Sequence, residues 1–193
     1  MPRRILGALF IASLAMPSTT RSQSSPAVAS DSLGHFPQVT GENLAGKRFD
    51  LPREFEGDLA FVVVAFKRNQ QHDVDSWMPF LKKLTRGRTD VRVYEIPTLG
   101  RGYRFMRPMI DGGMRRGIPD PAVRAATITL YIDKTPFRRA LRIPNEDSIY
   151  VLLVDRDGGI HARAAGPFDA AAAASLKQAL DAIPITSRGI GSP

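Results

Sequence analysis

The sequence of 193 residues contains no cysteine. Without a thiol, the chain can form no disulfide and offers neither a thiolate nucleophile nor a thiolate metal ligand. The composition therefore excludes a thiol–disulfide oxidoreductase and a peroxiredoxin. The length and a hydrophobic fraction of 43% suit a single globular domain, which has to be stable without disulfides.

Histidine is also scarce. The three histidines, His35, His72 and His161, lie far apart in the sequence, and His72 has only Asp73 and Asp75 as nearby acidic residues. We therefore predict no metal site and no cofactor. The sequence also lacks a Gly-x-Ser-x-Gly nucleophile elbow and a Gly-x-x-x-x-Gly-Lys phosphate loop.

The N-terminal segment has the composition of an export signal. Arg3 and Arg4 precede an apolar run over 5–16, which is short for a membrane span, and small polar residues follow. We predict a signal peptide over 1–22, or alternatively a cut after residue 29, and then a flexible leader over 23–35. The protein is expected to be exported, and periplasmic or associated with the cell envelope. Retention of the segment as an uncleaved anchor is the alternative.

Strand and helix patterns alternate along the rest of the chain, which is typical of an α/β fold. The patterns predict strands at 47–51, 59–66, 91–96, 127–132, 149–154 and 160–165. They predict helices at 103–116, at 135–141 with Thr135 as the cap, at 168–183 with Asp169 as the cap, and from Asp73 or Asp75 onward. We expect one domain over 36–184 with a central mixed sheet of four to five strands flanked by helices. A C-terminal hairpin and helix would complete it, and a frayed tail over 185–193 would follow.

A buried-strand pattern, a short loop and a helix containing Pro79 follow one another in the first half of this domain. This frame resembles the thioredoxin superfamily, especially its exported TlpA-like branch, in which Cys-x-x-Cys opens a helix kinked by proline. Gln71 takes the place of the first cysteine and Val74 that of the second, with His72 and Asp73 between them. The resemblance implies a thioredoxin-like fold with a degenerate redox loop.

The second half carries the same resemblance in its strand, Asp-x-x-Gly turn and returning strand over 149–160. Ser148 and Ile149 stand where that superfamily has a cis-proline facing the cysteine pair. The chain also resembles the thioredoxin-like assembly factors of mitochondrial ATP synthase. The shared motifs are Leu-x-Gly-Lys at 44–47, a cysteine-free loop, and Tyr-Val-x-Leu-Val-Asp at 150–155. This resemblance implies a folding or assembly role without identifying a client.

The segment 101–142 concentrates the positive charge of the chain, with ten Lys or Arg residues against three Asp residues. Its arginines could dock an acidic protein partner or meet anionic lipid headgroups. They could equally form a solvated basic face over a helix packed on the core. We predict no nucleic-acid binding, because no recognition motif is present. The candidate contact residues are Arg101, Arg104, Arg107, Arg115, Arg116 and Arg124.

Taken together, these patterns predict an exported thioredoxin-like protein without redox activity. It would act as a binding, assembly or chaperone-type module for an envelope protein of unknown identity. The alternative is an enzyme of a non-thiol class that uses His72 and nearby carboxylates at the degenerate loop.

Overall fold

The computed structural model of the protein describes residues 33–184, so the predicted signal segment, most of the leader and the tail lie outside the described residues. The strands are β1 (Val39–Asn43), β2 (Arg48–Leu51), β3 (Leu59–Ala65), β4 (Val91–Gly100), β5 (Ile128–Ile132), β6 (Tyr150–Asp155) and β7 (Ile160–Ala165). The helices are α1 (Gln71–Thr85), α2 (Arg107–Gly117), α3 (Pro121–Ala126), α4 (Lys134–Ala140) and α5 (Ala170–Ala182). None of these helices is long and apolar enough to cross a membrane.

The strands form one mixed sheet in the order β2-β1-β5-β4-β3-β6-β7. The three central strands β5, β4 and β3 are parallel, and the outer strands pair antiparallel. The expectation of four to five strands was wrong, because the sheet has seven. β1 was missed because Gly41 marks its sequence as a turn. In the structure the side chains of Ile128 and Leu130 lie 2.6 and 2.8 Å from where a Cβ of residue 41 would stand, so the strand needs glycine there.

β4 runs past Pro97, whereas the strand predicted from the sequence ended at residue 96, directly before this proline. The β3–β4 ladder finishes at the pair Ala65–Pro97, and the β4–β5 ladder begins at Thr98–Leu130. Pro97, which has no backbone N–H, therefore lies where β4 stops pairing with β3 and begins to pair with β5. A central strand can tolerate a proline at such a point.

One face of the sheet is covered by α1 and α5. Trp77 and Leu81 of α1 and Leu176 of α5 are buried against the odd-numbered side chains of β3. The indole N–H of Trp77 donates to the carbonyl oxygen of Gly166 at 2.9 Å. Trp77 is thus a core residue, and Pro79 lies inside α1 as expected.

The other face carries a second core under α4, where the ring of Phe36 packs edge-on against Phe137 and Phe55. The cap of α4 differs from the prediction. Asp133, not Thr135, is the N-cap, and its carboxylate accepts the backbone N–H of Thr135. For α5 the predicted cap is correct, since Asp169 accepts the N–H of Ala172.

Candidate functional site

The degenerate loop lies between β3 and α1, at the edge of the sheet where the parallel strands end. Gln71 is the first residue of α1 and its side chain is exposed, whereas Val74 is fully buried. His72 is exposed, and within residues 33–184 its side chain makes no hydrogen bond or ion pair. His72 therefore makes no hydrogen bond or ion pair with Asp73 or Asp75.

This loop is closed by Gln70, a residue that the sequence analysis missed. Its Oε1 accepts the backbone N–H groups of Phe66 at 2.8 Å and Lys67 at 3.0 Å, and its Nε2 donates to the carbonyl oxygen of Glu146 at 2.8 Å. Only 4% of the residue is exposed. Gln70 thus joins the loop after β3 to the loop before β6, and no signal in the sequence distinguishes it from its exposed neighbour Gln71.

We expect Gln70→Ala to lower the free energy of unfolding by about 2 kcal/mol, because two backbone donors and a carbonyl lose a buried partner. Denaturant unfolding followed by circular dichroism measures the change. Gln71→Ala is the matched control and should shift stability by less than about 0.5 kcal/mol, since its amide is exposed. Equal effects of the two substitutions would contradict the closing role of Gln70.

The loop before β6 lies beside the degenerate loop, since Gln70 links the two. Ser148 is half-buried, and Ile149, directly before β6, is fully buried. The carboxylate of Glu146 contacts both Lys134 and Arg138 of α4. Two residues before the lost cis-proline position, a charged tether therefore joins this loop to α4.

A cavity of about 320 Å³ opens beside this tether. It lies at the ends of β4 and β5, and charged side chains line much of it. Its lining residues are Gly100, Arg101, Ile132, Asp133, Lys134, Thr135 and Glu146. His72 is not among them, so the cavity gives no support to catalysis by this histidine.

A half-buried carboxyl group lies behind the degenerate loop. Glu95 of β4 lies near Gln71 and Asp75 of α1, and Gln71 Nε2 donates to Asp75 Oδ1 at 3.0 Å. Burial, reinforced by the charge of Asp75, raises the pKa of Glu95 to about 7. Within residues 33–184, no three histidine or acidic side chains converge as metal ligands.

The arginine-rich segment after β4 is not one continuous helix, as predicted, but a 3₁₀ segment (Arg101–Met106) followed by α2. Pro108 explains the break, because proline fits the first turn of an α-helix and not its interior. The apolar side chains of the predicted helix are not fully buried, since Tyr103 is exposed and Met106, Ile110 and Met114 are half-buried. The one fully buried side chain of α2 is that of Asp111.

Polar contacts hold the segment to the domain. Asp111, 3% exposed, accepts the hydroxyl of Tyr131 at 2.8 Å and Nε of Arg107 at 3.1 Å. Arg107 Nη2 also lies 2.6 Å from a carboxylate oxygen of Glu42, an ion pair whose angles do not make a hydrogen bond. Burial and the adjacent carboxylate raise the pKa of Tyr131 well above its ordinary value.

The six candidate arginines divide into two groups. Arg107, Arg115 and Arg124 are tethered, the last two through hydrogen bonds to the carbonyl oxygens of Leu44 and Ile118. The remaining three have no hydrogen-bond or ion-pair partner among residues 33–184 and are exposed. These free arginines are Arg101, Arg104 and Arg116.

Comparison with known proteins shows which family the chain resembles. A family profile described as ATP10 protein matches residues 25–182. No curated protein sequence is significantly similar to the chain.

Three solved structures illustrate the fold. An electron transport protein from Aquifex aeolicus VF5 has a TM-score of 0.56 at 11% identity, over 77% of this chain and 95% of the other. BsSco, a member of the Sco family of cytochrome c oxidase assembly proteins, has a TM-score of 0.54 at 15% identity, over 78% and 95%. A thiol:disulfide interchange protein from Bacteroides sp. has a TM-score of 0.51 at 19% identity, over 77% and 86%. These similarities confirm the thioredoxin-like fold.

Proposed function

The chain belongs to the ATP10 protein family, and on that premise we propose that it is an exported, non-redox assembly module for a protein complex of the cell envelope. The coarse role of an assembly-type thioredoxin-like module follows from the family. Its export and its envelope partner are the parts that we propose. ATP synthase is the first client to test, given the resemblance to assembly factors of the mitochondrial enzyme.

One observation carries the proposal. At the position of the superfamily's reaction centre, the loop is fixed by Gln70 yet presents exposed polar side chains, including His72 and Asn69. A fixed loop loses little conformational entropy when a partner binds it, which favours a docking role. Such a loop can hold a client without any thiol chemistry.

The test is complementation of a strain that lacks the protein, with assembled ATP synthase measured on native gels. We expect the assembled complex to fall several-fold in the deletion strain and to return with the wild-type chain. A variant carrying Asn69→Glu and His72→Glu should not restore it, because both substitutions add charge to an exposed docking loop.

The matched control carries Ala174→Glu and Gln178→Glu, two exposed positions on α5, and should restore assembly fully. If deletion leaves the assembled enzyme unchanged, ATP synthase is not the client. If the loop variant restores assembly as well as the control does, the partner is not bound through this loop.

A further inference from the structure

The segment 101–117 carries three of the four exposed large apolar side chains found in residues 33–184. Phe105 is 80% exposed, Met109 61% and Tyr103 52%. Exposed apolar side chains grouped in one short segment mark an interaction site more often than isolated ones do.

The exposure of Met109 follows from the orientation of α2. Arg107 and Asp111 lie one helical turn apart and face the domain through paired polar contacts. Met109 and Arg116 are seven residues apart, which is two turns, so they share the opposite side of the helix. Phe105 precedes Met109 by one turn at the end of the 3₁₀ segment. We call the surface formed by Tyr103, Phe105, Met109 and the free arginines the outer face.

We propose that the outer face docks the protein on an anionic lipid bilayer. Phe105 and Met109 would enter the boundary between headgroups and acyl chains, as the apolar side chains of interfacial helices do. Arg101, Arg104 and Arg116 would contact lipid phosphates, which attract basic residues close to the membrane surface.

Charge and shape favour a bilayer as the occupant. The three free arginines have no carboxylate partner within the described chain, so their charge is available to an anionic surface. The apolar side chains project outward, and none of them lines the cavity at the ends of β4 and β5. A Cβ added at Gly113 would meet no atom within 4 Å, so the helix surface beside Met109 is open and low. Such an open surface suits a flat bilayer better than a protein partner, because the anchor side chains of a protein partner require pockets.

The placement has a consequence for the domain. The outer face follows β4 directly, and the degenerate loop follows the adjacent parallel strand β3, so both lie at the same edge of the sheet. Docking would hold that edge at the membrane. This inference does not depend on the proposed client, because it concerns a lipid surface.

The absence of cysteine allows a direct test on the full chain. Met109→Cys would carry an environment-sensitive fluorophore, and Ala174→Cys on α5 would carry the same label as the control. Each protein is titrated with phosphatidylcholine vesicles that contain or lack phosphatidylglycerol. Because the label reports its own surroundings, contact by the N-terminal apolar segment does not mimic contact by the outer face.

We expect the label at position 109 to shift to the blue with phosphatidylglycerol vesicles, and the label at position 174 not to shift. Replacing the three free arginines with glutamate should raise the lipid concentration for half-maximal shift by at least about tenfold. The control replaces Arg48, Arg53 and Arg86 with glutamate. It changes the net charge by the same amount, at exposed positions outside the outer face. That control should change the half-maximal concentration by less than about twofold.

Three outcomes would overturn the proposal. The two labels could respond alike to anionic vesicles, or the two sets of charge reversals could weaken binding alike. The label at position 109 could also remain unchanged with vesicles but shift with polyglutamate, which would indicate an acidic protein partner. Circular dichroism is used first to confirm that each variant is folded, and only folded variants are compared.

Discussion

Replacing Asp111 with alanine is expected to lower the free energy of unfolding by about 3 kcal/mol. Asp111 is buried and accepts the hydroxyl of Tyr131 and Nε of Arg107, so its removal leaves a phenol and a guanidinium without their partner. The loss is smaller than for a fully buried ion pair, because Arg107 is 34% exposed and keeps Glu42 nearby. Denaturant unfolding measures this change.

Two controls separate this effect from a general loss of acidic residues. Asp120→Ala removes the exposed N-cap of α3 and should cost about 1 kcal/mol. Asp111→Asn keeps an acceptor for Tyr131 and should recover part of the loss. A cost below about 1 kcal/mol for Asp111→Ala would mean that α2 is held by something other than this polar cluster.

Replacing Glu95 with glutamine is expected to stabilise the protein by up to about 3 kcal/mol at pH 8 and to have little effect near pH 4.5. Burial and Asp75 raise the pKa of Glu95 from 4.5 to about 7, so the folded state binds its proton more tightly than the unfolded state does. The stabilisation from protonated Glu95 is fully present below pH 4.5 and is lost as the pH rises through about 7. Glutamine has no proton to lose.

The measurement is the difference in unfolding free energy between wild type and Glu95→Gln from pH 4.5 to 8.5. Taking the difference removes the contributions of other titrating groups, which both proteins share. Asp75→Asn lowers the pKa of Glu95 by removing the adjacent charge, so in that background the difference at pH 8 should shrink. A difference that does not vary with pH would exclude a titrating Glu95.

The fold could be predicted from local patterns where those patterns report on the core. The sequence pattern at 59–66 indicated a buried strand, and the strand β3 is buried. β1 could not be predicted in this way, because its glycine is explained only by side chains of β5 that approach it across the sheet. Pro97 was misinterpreted for the same reason, since its tolerance depends on which strand pairs at that point.

The candidate site was predictable in residue type but not in arrangement. The sequence indicated a cluster of arginines, yet whether each one is tethered depends on distant residues. Arg115 donates to a backbone carbonyl of Leu44, which is 71 residues away along the chain. Arg116 follows it directly and is free, because it lies on the other side of the helix.

The sequence by itself determined that this protein performs no thiol chemistry, because the lack of cysteine holds in any fold. The sequence also located the loop where Gln71 and Val74 replace the cysteine pair of related proteins. Only the tertiary structure decided that Gln70 closes this loop and that α2 turns Asp111 inward and Met109 outward. Composition depends on each residue separately, whereas hydrogen bonds and the exposure of side chains depend on residues that folding brings together.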